Sequence, residues 1–140
     1  MQNYTLKSNG SIGLPVPAKP GQLPAYPANL SDESAHNLVR IYTEYTALIA
    51  HASLQLGLLE ADHAKKKSDY DKAVTLRFVH DESKSTTERK ERAKASRASI
   101  GILEEVTQLQ QDIFVVRALL DGYKASLFSI KTEIERRRNE

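Results

Sequence analysis

Ile102, Val106, Leu109, Ile113, Val116, Leu120, Tyr123, Leu127, Ile130 and Ile134 follow one another in alternating steps of four and three. A period of 3.5 residues keeps such positions on one edge of an α-helix only when that helix under-winds against a partner. The run therefore specifies left-handed coiled-coil packing rather than an ordinary globular face. No polar break interrupts it, so these ten residues form a continuous seam, the natural oligomer seam of the chain. Leu103, Phe114, Leu119 and Phe128 lie beside it and widen the apolar face, which offers a surface to a second partner helix.

A first partner is present in the same chain. All five prolines, Pro15, Pro17, Pro20, Pro24 and Pro27, fall in the first 30 residues together with Gly10, Gly13 and Gly21. Fixed proline φ angles favour extended backbone there, so residues 1–30 read as an arm. Leu14, Val16, Leu23 and Tyr26 make that arm apolar rather than a solvated tail, and it reads either as a disordered leader or as an arm that lies on a neighbouring subunit or partner. At Ser31 the pattern becomes helical, with Ser31 as the expected N-cap and Asp32 and Glu33 in the first turn, where the helix dipole favours negative charge. Leu38, Ile41, Tyr42, Tyr45, Leu48, Ile49, Ala52, Leu56 and Leu59 then recur at three- and four-residue steps on one face. The spacing predicts a helix over residues 31–79. "HDESKSTTE", which starts at His80, is the only cluster of turn residues in the rest of the chain. Ser85 and Glu88 within it have capping-box spacing, which predicts a turn over 80–85 and a second, unbroken helix over 86–137.

Two helices of matched length joined by a short turn give an all-α fold, a long antiparallel two-helix coiled-coil hairpin over residues 31–140. Folding about position 82 or 83 brings Leu38 near Leu127, Tyr45 near Leu120 and Leu59 near Val106. A two-helix interface buries little apolar surface against the conformational entropy of ordering about a hundred residues. A homo-oligomer of hairpins is the expected state.

Chemistry has few footholds. Cysteine is absent, which removes disulfides, thiol nucleophiles and Cys-based zinc sites. His36, His51, His63 and His80 are scattered without metal-ligand spacing, and Glu104 and Glu105 point about 100° apart on a helix. No Gly-rich phosphate loop or nucleophile elbow occurs. The expectation is a non-enzymatic protein without catalytic residues, metal or cofactor. No window approaches the roughly 18 apolar residues of a membrane span, and "MQNYTLKSNG" lacks signal-peptide order, so a cytoplasmic protein without membrane contact is expected.

Charge is distributed unevenly. The formal net charge is only +2, but Lys65, Lys66, Lys67, Arg89, Lys90, Arg92, Lys94 and Arg97 gather at the predicted tip of the hairpin, around a stretch from Lys84 to Ser99 that contains no Leu, Ile, Val, Phe or Met. Such a strip can neutralise successive phosphates, with affinity falling as salt rises. Asp62, Asp69, Asp71, Asp81, Glu82, Glu88 and Glu91 sit among the same cations, and mixed charge is also how a long solvated helix stays soluble. Arg136, Arg137 and Arg138 close the second helix, where the dipole favours cations.

"LSDES" at Leu30, "YTEYT" at Tyr42, "TERKERAKA" at Thr87 and "IKTEIERR" at Ile130 together give the chain a likeness over Leu30 to Arg137. On these stretches it resembles a group of small bacteriophage proteins similar to the UvsY-like recombination mediators. The resemblance implies an oligomeric helical protein that binds single-stranded DNA and helps load a recombinase, with the eight basic residues above as its DNA contacts. It places the protein in the host cytoplasm. The Pro-rich arm supports a rival class, a structural or assembly protein of a phage particle whose residues 1–30 drape over a neighbouring protein in the virion.

Overall fold

The computed structural model describes residues 24–82 and 85–140, and within them the chain is helical, with no strand. Helix α1 spans Ala35–His80 (46 residues), α2 spans Thr86–Ala95 (10 residues) and α3 spans Arg97–Arg138 (42 residues). A 3₁₀ turn, Leu30–Asp32, precedes α1. Most of the expected arm, residues 1–23, lies outside the described residues. Among the described residues no helix is long and apolar enough to cross a membrane.

Local chemistry sets the helix ends, and it does so differently from the expectation at two places. α1 begins at Ala35 rather than Ser31. Asn29 caps the 3₁₀ turn by accepting the Ser31 N–H at 3.1 Å, and Ser34, whose Oγ accepts the Asn37 N–H at 3.1 Å, is the true cap of α1. No acidic residue therefore stands in the first turn of α1. Ser85 caps α2 as its spacing implied, its hydroxyl accepting the Glu88 N–H at 3.3 Å.

The second helix is not continuous. Ser96 leaves the helix at φ −61°, ψ 145° and its hydroxyl accepts the Ser99 N–H at 3.2 Å, so it caps α3. A serine side chain offers the backbone an alternative to the helical ladder. Here no apolar stripe holds the helix straight against that alternative.

The residues divide into two compact units, Met1–Gly57 with Val115–Glu140, and Leu58–Phe114. In the first unit, Leu38, Ile41, Tyr45, Leu48 and Ile130 form the core, with Leu30, Tyr123, Leu127 and Ile134 packed against it. The two helical segments run antiparallel: Tyr45 meets Tyr123 edge to face, with ring centroids 6.3 Å apart, while Arg137 reaches the carbonyls of Leu30, Ser31 and Glu33. Tyr45 was expected beside Leu120 and instead lies one turn further along. The register follows the interlocking of Tyr45 between Tyr26 and Tyr123, not the midpoint of the loop. Burial of Tyr45 pushes its hydroxyl pKa up.

In the second unit, Leu59, Ala93, Leu109 and Ile113 are buried, together with Ser99. α2 contributes only alanine to this interior. Ala93 is 2% exposed, and Arg89 does the rest of the anchoring.

Candidate nucleic-acid interface

All eight basic residues predicted to hold nucleic acid belong to the second unit, and the structure sorts them into two groups. Three are engaged within the chain. Lys66 Nζ lies 2.5 Å from Glu105 Oε2, a hydrogen bond that raises the lysine pKa. Arg89 lies over the Phe78 ring at 4.5 Å from its centroid and donates through Nη2 to the Phe78 carbonyl at 2.8 Å and through Nε at 3.3 Å. It thereby adds to a carbonyl in the last turn of α1 that otherwise accepts only the Asp81 N–H at 3.4 Å. Arg92 pairs with Glu88 at 2.6 Å and reaches Asp81 at 4.0 Å.

The other five, Lys65, Lys67, Lys90, Lys94 and Arg97, are exposed and form no hydrogen bond or ion pair among the described residues. Lys65 and Lys67 stand on α1, Lys90 and Lys94 on α2, and Arg97 at the start of α3. Two further cations escaped the sequence reading. Lys72 is seven residues from Lys65 and so lies on the same side of α1, a spacing that was there to be read. Arg77 lines an open groove of about 500 Å³ with His80, Asp81, Glu82, Arg92, Ala93 and Ser96. Only the position of α2 brings Arg77 and Arg92 to one groove, so sequence spacing carried no signal for it.

The electrostatics of the unit are local. Between Leu58 and Phe114 eleven Lys and Arg residues face eleven Asp and Glu residues, so no net charge draws a polyanion from a distance. Tyr70 is half-buried and Phe78 is covered by Arg89, so neither is an open platform on which a base could stack; the open ring of this unit is Phe114, its last residue. Among the described residues no group of three or more His, Cys, Asp or Glu is placed to hold a metal ion.

The seam is already covered within the single chain. Leu109 and Ile113 in the second unit, and Val116, Leu120 and Ile130 in the first, are buried, while Ile102, Val106, Tyr123, Leu127 and Ile134 are half-buried. The apolar residues left outside this seam are its flanks. Phe114 is 73% and Phe128 70% exposed, and Leu103 and Leu119 are exposed as well. No protein-family model matches this sequence, and comparison with curated proteins and with solved structures returned no match.

Proposed function

We propose that this chain is a non-enzymatic, self-associating helical protein, phage-encoded, that holds single-stranded nucleic acid on the free cations of its second unit in the manner of a recombination mediator. One observation carries the reading: Lys65, Lys67, Lys90, Lys94 and Arg97 are exposed and have no acidic partner among the described residues, while neighbouring cations are taken up by Glu105, Phe78 and Glu88. A cation without an acidic neighbour keeps its charge available to a phosphate, whereas one already paired does not. With no net charge on the unit, binding depends on contact rather than long-range steering, and it weakens steeply with salt. Contacts from these cations to phosphates position a strand and do not select bases.

Titration of a fluorescent oligo-dT at low salt tests the reading. Lys90→Glu with Lys94→Glu and Arg97→Glu abolishes binding and leaves helix content and self-association intact. Equal affinity for this variant and the wild type removes the reading. Arg89 and Arg92 stay out of such a variant, because their loss disturbs α2 itself.

A second reading, an assembly protein of a phage particle, is favoured by the exposure of Phe114 and Phe128. On that reading these rings and the Pro-rich residues contact other particle proteins. Deletion of residues 1–23 then abolishes partner capture and leaves oligo-dT binding unchanged; unaltered capture would count against it.

A further inference from the structure

The described chain opens at Pro24, and it is already seated on the first unit. The Tyr26 ring meets Tyr45 edge to face at 6.1 Å, while the Leu30 and Ser31 carbonyls accept from Arg137 at 3.0 Å. Tyr45 also faces Tyr123, and its hydroxyl interacts with the Ser126 side chain. Between Leu30 and Tyr26 the chain therefore travels from the level of Arg137 to that of Ser126. That is about 16 Å of α3, a span that so short a stretch approaches only when extended. Its direction is toward Val115.

The surface ahead of it carries no charge. Val115, Leu119, Gly122 and Ser126 follow steps of four and three, and the same side of α3 continues through Ser129 and Glu133 to Arg137, which holds the chain at Leu30. Val115 is 49% and Leu119 37% exposed. Across the interface, residues 45–57 of α1 contain no Asp, Glu, Lys or Arg. His51 precedes buried Ala52 as Leu119 precedes buried Leu120, and on antiparallel helices an equal rotation from the core sets both on one flank. The Nδ1 of His51 is buried and has no hydrogen-bond partner among the described residues. Such an atom costs free energy until a polar group reaches it.

We infer that residues 18–23 of the same chain continue this path as an extended strap on that flank of the first unit, with Leu23 against Leu119 and a backbone group of the strap on His51 Nδ1. At about 3.1 Å per residue Leu23 falls about 9 Å beyond Tyr26, and Leu119 lies about 10 Å beyond Ser126 along the same line. The composition suits the place: Lys19 is the one charge of the segment, Leu23 its one large apolar side chain, and Pro20 fixes a φ angle suited to extended backbone. The occupant is the chain's own segment because Tyr26 already delivers it to the spot, at an effective concentration that a second copy arriving from solution does not match.

The inference stands apart from the nucleic-acid reading, which concerns the second unit, and its test uses the full chain without oligonucleotide. The chain has no cysteine, so two introduced thiols report the path. Under mild oxidation Leu23→Cys with Leu119→Cys closes a disulfide within one chain at least about tenfold faster than Leu23→Cys with Lys124→Cys, whose second position stands about 140° round α3 from Leu119. Equal rates overturn the inference. So does a disulfide found only between two chains, which would make a second copy's segment the occupant. A spin label on Gln22→Cys leaves Leu23 and Leu119 in place, so it reports even where the paired variants fail to fold. It broadens the amide signals of residues 115–119 more than those of residues 130–134, and equal broadening overturns the inference.

Discussion

Arg89 lies over the ring of Phe78, 4.5 Å from its centroid, and donates to the Phe78 carbonyl at 2.8 Å. One side chain thus caps the end of α1, covers its last aromatic residue and ties α2 to both. α2 has little else to hold it, since Ala93 is its one buried residue. Replacing Arg89 by Ala is expected to lower the stability of this region by about 2 kcal/mol, from a charge-assisted hydrogen bond and a cation–π contact. Arg89→Lys recovers less than half of that, because an ammonium cannot both stack and donate through a planar fork. Hydrogen exchange of the α2 amides measures both effects.

A second tie joins the two ends of the first unit. Arg137 donates to the carbonyls of Glu33 at 2.7 Å and of Leu30 and Ser31 at 3.0 Å. Glu133 orients it, accepting from Arg137 Nε at 2.7 Å and twice from Arg136, and these bonds, Arg136's foremost, hold the Glu133 carboxyl at about pKa 2. Because the folded value lies below the ordinary 4.5, ionised Glu133 stabilises the fold above about pH 4.5, and the contribution fades as pH falls toward 2. Thermal unfolding of the wild type is expected to shift down across that window. Glu133→Gln unfolds at a lower temperature already at neutral pH and shows a flatter acid limb.

At the junction of α2 and α3, Ser99 is fully buried and its hydroxyl donates to the Ala93 carbonyl at 2.8 Å while accepting from the Ser96 hydroxyl at 2.8 Å. Ser96→Ala removes a helix cap, and Ser99→Ala leaves the Ala93 carbonyl with only the longer bond from the Ser96 N–H at 3.4 Å; each costs about 1 kcal/mol. Both serines belong to one network, so the double variant loses less than the sum of the two. Urea unfolding of the three variants gives the comparison.

How much of this was legible in the sequence differs from residue to residue. The 3.5-residue period of the seam identified the positions that turn inward, because burial on a helix is a matter of angle and angle follows from spacing. Ser85 was legible as a cap for a similar reason, since it acts within four residues of itself. The Ser96 break was not, because a serine three residues before another serine breaks a helix only where packing fails to hold it straight. Nor did sequence separate Lys66, Arg89 and Arg92 from Lys65, Lys90 and Lys94. The first three differ only in having Glu105, Phe78, Glu88 or Asp81 within reach, and all of these except Glu88 depend on how the segments pack. The clustering of these cations was thus legible along the chain, but which of them lack a partner among the described residues could be read only from the fold.

The salt dependence of oligo-dT binding tests that division most directly. For a single strand each neutralised phosphate contributes about 0.7 to the slope of log K against log salt. Lys90→Gln, Lys94→Gln and Arg97→Gln are each expected to flatten the slope by about that amount, while Lys66→Gln leaves it unchanged. Absence of binding at low salt, or a Lys66 variant that flattens the slope as much as the other three, would contradict the account.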